Sequence, residues 1–223
     1  MAFGSWTRTN EFSTLTIISM MLSSAEPTAA DDSDVAYNLS IDKLEQQFDQ
    51  DQTLVEIVTR VGGERHGLGT KSEFSSISDG HVDSRNLLFY TFTFDSWLET
   101  RVGIEHLDWH DGAETSGLFH LLASVPLDVS IGLSLRVARG GSIETKLELE
   151  KVTALSSRFT LEPRMEWQRF SDEDDVVTAE LRLRYGGTNK FRPYIGVAWT
   201  RQLNSDLDWS DTTALVGLSY LVN

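Results

Sequence analysis

The chain has 223 residues, with 34 Asp and Glu against 19 Lys and Arg, a formal net charge of −15. That shortage of cations speaks against a nucleic-acid partner, because phosphate binding draws on a Lys/Arg surplus. Cysteine is absent, so disulfides, thiolate metal ligands and a cysteine nucleophile are excluded.

From the N-terminus, residues 12–25 (FSTLTIISMMLSSA) form a short apolar stretch ending in small residues. Pro27 and the acidic Asp31, Asp32 and Asp34 follow it. An apolar segment of this length and ending resembles an export signal; the alternative is a disordered tail. Cleavage is expected after Ala25 or Ala30. The expected organisation is a signal peptide over 1–30, a short acidic linker over 31–35 and one barrel domain over 36–223. No later run reaches the ~18 apolar residues of a membrane helix. A membrane β-barrel stays open, because its alternating strands have a soluble-looking mean hydropathy, here −0.23.

Beyond residue 36 the pattern is period-2, with almost no helical periodicity. The expected strands are 36–47, 53–62, 67–76, 83–94, 96–107, 113–125, 127–138, 142–151, 157–169, 175–185, 191–203 and 211–222. The first alternates poorly. The clearest places Leu127, Val129, Ile131, Leu133, Leu135 and Val137 on one face and Asp128, Ser130, Gly132, Ser134, Arg136 and Ala138 on the other. Such spacing leaves room for the ~9–11 residues of a tilted membrane strand.

A soluble β-sandwich also alternates. Two features favour a membrane barrel. The polar faces carry both signs of charge at successive positions, as in Glu144-x-Lys146-x-Glu148-x-Glu150 and Glu162-x-Arg164-x-Glu166. Inside a lumen such charges pair across strands while the aliphatic face meets lipid. The connections also segregate by parity. One set carries Asp49 and Asp51; Asp79; Asp108, Asp111 and Glu114; residues 172–175; and Asp206, Asp208 and Asp211. The alternate set is plainer, as expected if the two sets face different aqueous compartments. Trp97, Trp109, Trp167, Trp199 and Trp209 fall near expected strand ends, which fits interfacial girdles. The expected fold class is all-β: a closed antiparallel up-and-down transmembrane β-barrel of about twelve strands.

Several stretches resemble the copper resistance protein B family of Gram-negative bacteria. They are Leu39-Ser40-Ile41-Asp42-Lys43-Leu44-Glu45, Gly69-Thr70-Lys71-Ser72-Glu73 and Leu161-Glu162-Pro163-Arg164-Met165-Glu166. The most specific pair is Glu180-Leu181-Arg182-Leu183-Arg184-Tyr185 and, after it, Phe191-Arg192-Pro193-Tyr194-Ile195-Gly196-Val197-Ala198-Trp199. The resemblance implies an outer-membrane barrel without enzymatic chemistry, with the bilayer and copper ions as partners and copper homeostasis or resistance as its role. Family members commonly carry a Met- and His-rich N-terminal segment; residues 31–52 contain neither residue type here.

Two groups of residues are candidates for function. His106, Asp108, His110 and Asp111 (His-Leu-Asp-Trp-His-Asp) are expected on one outer loop, with His81 on another. Imidazole with carboxylate suits Cu(II) or Zn(II). The charges Lys43, Glu45, Lys71, Glu73, Glu99, Arg101, Glu105, Arg136, Glu162, Arg164, Glu166, Glu180, Arg182 and Arg184 are expected to point into the lumen. They would form either a salt-bridge ladder that plugs it or a path that holds cations. The functional expectation is copper binding at an acidic lumen or on the outer loops; the alternative is a small porin-like or structural barrel without specific metal binding. An enzyme reading fails on geometry: Ser116 and His120, four apart on one strand, are about 13 Å apart, beyond hydrogen-bond reach.

Overall fold

The computed structural model describes residues 36–49, 51–63, 65–77, 81–171, 174–186, 190–203 and 209–222. The expected signal peptide and linker lie outside the described residues. The strands are β1 (Ala36–Gln47), β2 (Gln52–Gly62), β3 (His66–Ile77), β4 (Val82–Asp95), β5 (Leu98–Trp109), β6 (Gly112–Val125), β7 (Val129–Ala138), β8 (Ile143–Lys151), β9 (Thr153–Ala154), β10 (Phe159–Phe170), β11 (Asp175–Tyr185), β12 (Phe191–Leu203) and β13 (Ser210–Val222). Neighbours in sequence pair antiparallel, and β13 returns to pair with β1, from Leu39 opposite Val222 to Gln47 opposite Leu215. That last pairing closes the sheet and leaves no open edge among the described strands to template aggregation.

The barrel has twelve staves. β9 continues β8 in the same register: Glu150 faces Arg164, and three residues on, Thr153 faces Leu161. The break between them lies opposite Pro163. The Leu155 amide bonds the Phe159 carbonyl at 2.9 Å, and the same two-residue parity puts Lys151 opposite Pro163 at a hydrogen-bonding position. Proline has no N–H to donate there. On its other side the strand is not interrupted: the Val152 amide extends the β7 ladder by bonding the Asp128 carbonyl, 3.1 Å away.

β7 illustrates why these residues make barrel staves. Leu133, Leu135 and Val137 remain 43%, 42% and 45% exposed, while Ser134 and Ala138, on the opposite face, are buried. The greasy side is the outside. An apolar exterior around a polar interior inverts a soluble domain and is the arrangement a bilayer stabilises.

The poor alternation of β1 has a local cause. The ladder slips between Ile41 and Lys43, leaving Asp42 as an extra residue in a β-bulge. Beyond the bulge the aliphatic phase moves by one, from Leu39 and Ile41 to Leu44. Both ladders of β1 slip here, so Ile41 lies opposite Tyr220 and Leu44 opposite Leu218 on the same side.

Two strand boundaries differ from those expected. Leu127 continues the aliphatic alternation of β7, but Leu127 and Asp128 have φ of 73° and 56° and make the turn with Pro126. The third hairpin is offset by two residues: Ser96 and Trp97 turn, and β5 runs to Trp109, leaving only His110 and Asp111 to join it to β6. Asp108 and Glu114 are therefore strand residues. Among the connections at the acidic end, the one over 139–142 (Arg139-Gly140-Gly141-Ser142) is an exception, being basic.

The aromatic belt is fuller than the tryptophans suggest. At the short-turn end Phe159 and Tyr185 meet at 5.3 Å between centroids, Phe191 and Tyr220 at 4.4 Å, and Phe92 and Phe94 at 4.5 Å. His66 lies in the same belt, its ring 5.0 Å from Phe92 and its Nδ1 against the Tyr90 hydroxyl. Amphipathic rings at one level of a barrel mark a membrane–water boundary.

Candidate functional site

The interior is built from the polar faces of all twelve staves, and its charges meet in groups. In the first, Glu45 is 1% exposed. It accepts a hydrogen bond from the Tyr194 hydroxyl at 2.8 Å and pairs with Arg182 at 3.2 Å. Arg182 also pairs with Glu180 at 2.7 Å. The guanidinium groups of Arg182 and Arg184 lie 5.1 Å and 5.0 Å from the Tyr194 ring centroid. Arg184 Nε donates to both oxygens of Glu162, at 2.8 and 2.9 Å, and Arg184 Nη1 reaches Ser219. Gly217, opposite both Tyr194 and Glu45, makes room for this group: a Cβ there would overlap the Tyr194 ring.

The second group joins β8 and β10. Lys146 pairs with Glu148 at 2.6 Å and Glu166 at 3.2 Å, and Arg164 pairs with the same two carboxylates at 2.8 and 3.3 Å. Arg136 bridges Glu105, at 3.5 Å, and Glu144, and Arg85 lies 3.7 Å from Glu105. Lys71 contacts Glu56 at 3.0 Å and Glu73 at 3.8 Å. Glu99 holds Arg60 at 3.0 Å and Arg101 at 2.7 Å. His120 Nδ1 and Ser134 Oγ are hydrogen-bonded at 2.9 Å. Ser116 Oγ is buried without a hydrogen-bond partner among the described residues.

The partners Glu56, Arg60 and Arg85 escaped the sequence reading, although they sit on the same inward parity as the residues named there. The role of Tyr194 needed three dimensions, because its acceptor is 149 positions away in the chain.

Between these groups lies a cavity of about 520 Å³. Its wall carries ten Lys and Arg against seven Asp and Glu. The interior as a whole is nearer to charge balance than this lining alone. Several carboxylates that neutralise its cations, Glu45 and Glu99 among them, are pairing partners outside the lining set.

The metal candidates are dispersed. His106 and Asp108, expected on a loop, lie on β5. His106 faces Thr115, with Nδ1 3.0 Å from its Oγ1. Asp108 faces Ala113. His110 and Asp111 form the turn, with Nε2 3.7 Å from the Asp111 carboxylate. The ring of His110 meets the ring of His81 from the neighbouring connection, with centroids 3.8 Å apart. Two histidines 29 positions apart thus converge at the acidic rim. No three His, Asp or Glu side chains among the described residues are gathered closely enough to hold a metal ion as they stand.

The family model for copper resistance protein B precursor matches residues 35–214. The chain belongs to the copper resistance protein B family. This family member also shares its fold with solved porins. The KdgM porin aligns with a TM-score of 0.59 and 17% identity over 84% of this chain and all of its own. A KdgM porin in complex with disordered oligogalacturonate aligns equally well at 15% identity, again over 84% of this chain and all of its own. The NanC porin gives 0.58 and 14% over 82% of this chain and 98% of its own. At these identities the likeness is one of fold alone. No curated protein matches the chain.

Proposed function

We propose that this barrel lies in the outer membrane and serves copper resistance or homeostasis, meeting copper as passing cargo rather than as a fixed part of the fold. The observation that carries this reading is the family match across nearly the whole barrel. The rim supplies a chemically suitable first contact. Asp49, Asp51 and Asp111 belong to an end of the barrel rich in carboxylates, which raises the local concentration of cations. There the His81 and His110 imidazoles and the Asp111 carboxylate present nitrogen and oxygen donors, the set that suits Cu(II). Soft Cu(I) prefers sulfur ligands, and beyond residue 21 the only methionine is Met165. Met165 stands 48% exposed on the outer, apolar face of β10. Two imidazoles with one adjacent carboxylate make an incomplete coordination sphere, consistent with capture and release.

Titrating Cu²⁺ into the refolded protein in detergent tests this. The His81→Ala/His110→Ala double variant is expected to lose the tightest site, and His106→Ala to retain it. Equal binding by the double variant would reject the rim site. Unchanged copper tolerance in a strain lacking the protein would reject the role itself.

A second reading, a porin-like barrel without specific metal binding, draws on the fold shared with the KdgM and NanC porins. It is also supported by a lumen in which most charges already have protein partners. Single-channel recording with and without Cu²⁺ separates the two.

A further inference from the structure

The cavity in the barrel has one feature that a purely structural salt-bridge ladder does not require. Most cations on its wall are neutralised by carboxylates on it or just outside it, Glu45, Glu99 and Glu166 among them. Two, Lys43 and Arg192, have no carboxylate within 4 Å among the described residues. Neither takes part in any of the ion pairs that hold Arg182, Arg184, Lys71 or Lys146.

The backbone places Lys43 deliberately. The β1 bulge breaks the alternation, so that Asp42 and Lys43, consecutive residues, both line the cavity. A regular strand would send one of them to the lipid side. Arg192 lies opposite Ser219 on the β12–β13 ladder, and both line the cavity together with Arg184. Lys43 stands across the ladder from Glu56, which is itself held by Lys71. A cation without a close ion-pair partner beside a cavity can take a solute anion, and Arg in particular offers a planar fork of donors to an oxyanion.

We infer that the lumen of this barrel holds a small, multiply charged oxyanion, with Lys43 and Arg192 as its primary contacts. The site is distinct from the histidine pair at the rim and does not depend on the copper reading. Two carboxylates lining the same cavity, Asp42 and Glu150, also lack a cation within 4 Å among the described residues, and they oppose the anion. Asp42, next to Lys43, therefore sets the affinity in the opposite sense to its neighbour.

Citrate is a suitable probe, with sucrose as a neutral control of comparable size. The full-length protein, refolded in detergent, is titrated with each by isothermal calorimetry at low salt. Citrate is expected to bind, more weakly as salt is added, and sucrose is not. The Lys43→Gln/Arg192→Gln double variant is expected to bind citrate about tenfold or more weakly, the scale of losing charged hydrogen bonds. Asp42→Asn is expected to bind it more tightly. The single variants Lys43→Gln and Arg192→Gln guard against a folding defect, since neither side chain makes an ion pair whose loss would destabilise the barrel. The inference is overturned if the wild type gives no citrate binding, if the folded double variant binds as well as the wild type, or if Asp42→Asn weakens binding. A failure here leaves the rim histidines untouched, and a failure of Cu²⁺ binding leaves this site untouched.

Discussion

At the scale of single residues, the barrel distinguishes charges that hold it together from charges that merely line it. Glu45 belongs to the first kind. Its carboxylate is enclosed, accepts the Tyr194 hydroxyl and neutralises Arg182. Removing one member of a buried ionic group leaves the others desolvated and unpaired. Glu45→Ala is therefore expected to destabilise the barrel by about 3 kcal/mol, the low end of the usual range because Arg182 keeps Glu180. Glu150 belongs to the second kind: it is exposed to the cavity and makes no ion pair within 4 Å, since Arg164 across the ladder is held by Glu148 and Glu166, so Glu150→Ala should change stability by less than about 0.5 kcal/mol. Urea unfolding in detergent micelles, followed by tryptophan fluorescence, checks both. Equal effects would mean that the Glu45 group does not anchor the lumen.

At the scale of elements, the irregular points of the sheet have identifiable causes. The bulge at Asp42 moves the aliphatic phase of β1 so that the strand stays greasy outward on both sides of it. Without it, one half of β1 would present its charges to hydrocarbon, which costs about 2–4 kcal/mol for a basic residue near the bilayer midplane. The gap between β8 and β9 comes from Pro163. Pro163→Ala restores the missing donor opposite Lys151 and is expected to merge the two segments, adding about 1 kcal/mol of stability. Hydrogen exchange gives the direct reading: the new amide at residue 163 should exchange as slowly as its neighbours in β10. Exchange at the rate of a turn amide would show that the break has another origin.

At the scale of the whole molecule, the fold depends on its solvent. Large apolar side chains such as Leu88, Val102, Ile104 and Ile195 are more than half exposed, at 58%, 56%, 61% and 57%. Such a belt exceeds what a soluble monomer leaves open. The purified chain is expected to fold in detergent or lipid, with the heat-dependent electrophoretic mobility of a closed barrel, and to aggregate when detergent is removed. A folded, monodisperse protein in plain buffer would contradict the lipid-facing assignment of this belt.

The sequence by itself determined the strands, their approximate limits and which face of each is apolar. Side-chain direction in a strand has period 2, so Leu133, Ser134 and Leu135 declare their faces without reference to any other strand. It also carried the family resemblance, through ordered motifs such as Phe191-Arg192-Pro193-Tyr194. Tertiary structure alone decided which partners meet. The His81 and His110 rings meet, Tyr194 reaches Glu45, and cations of the cavity wall find carboxylates outside it. Closure of the sheet and its register bring distant residues to one level of the barrel, and neither quantity is local. The same reason explains the turn at Leu127, where an aliphatic residue continues the alternation of β7 but takes a left-handed backbone to connect two staves.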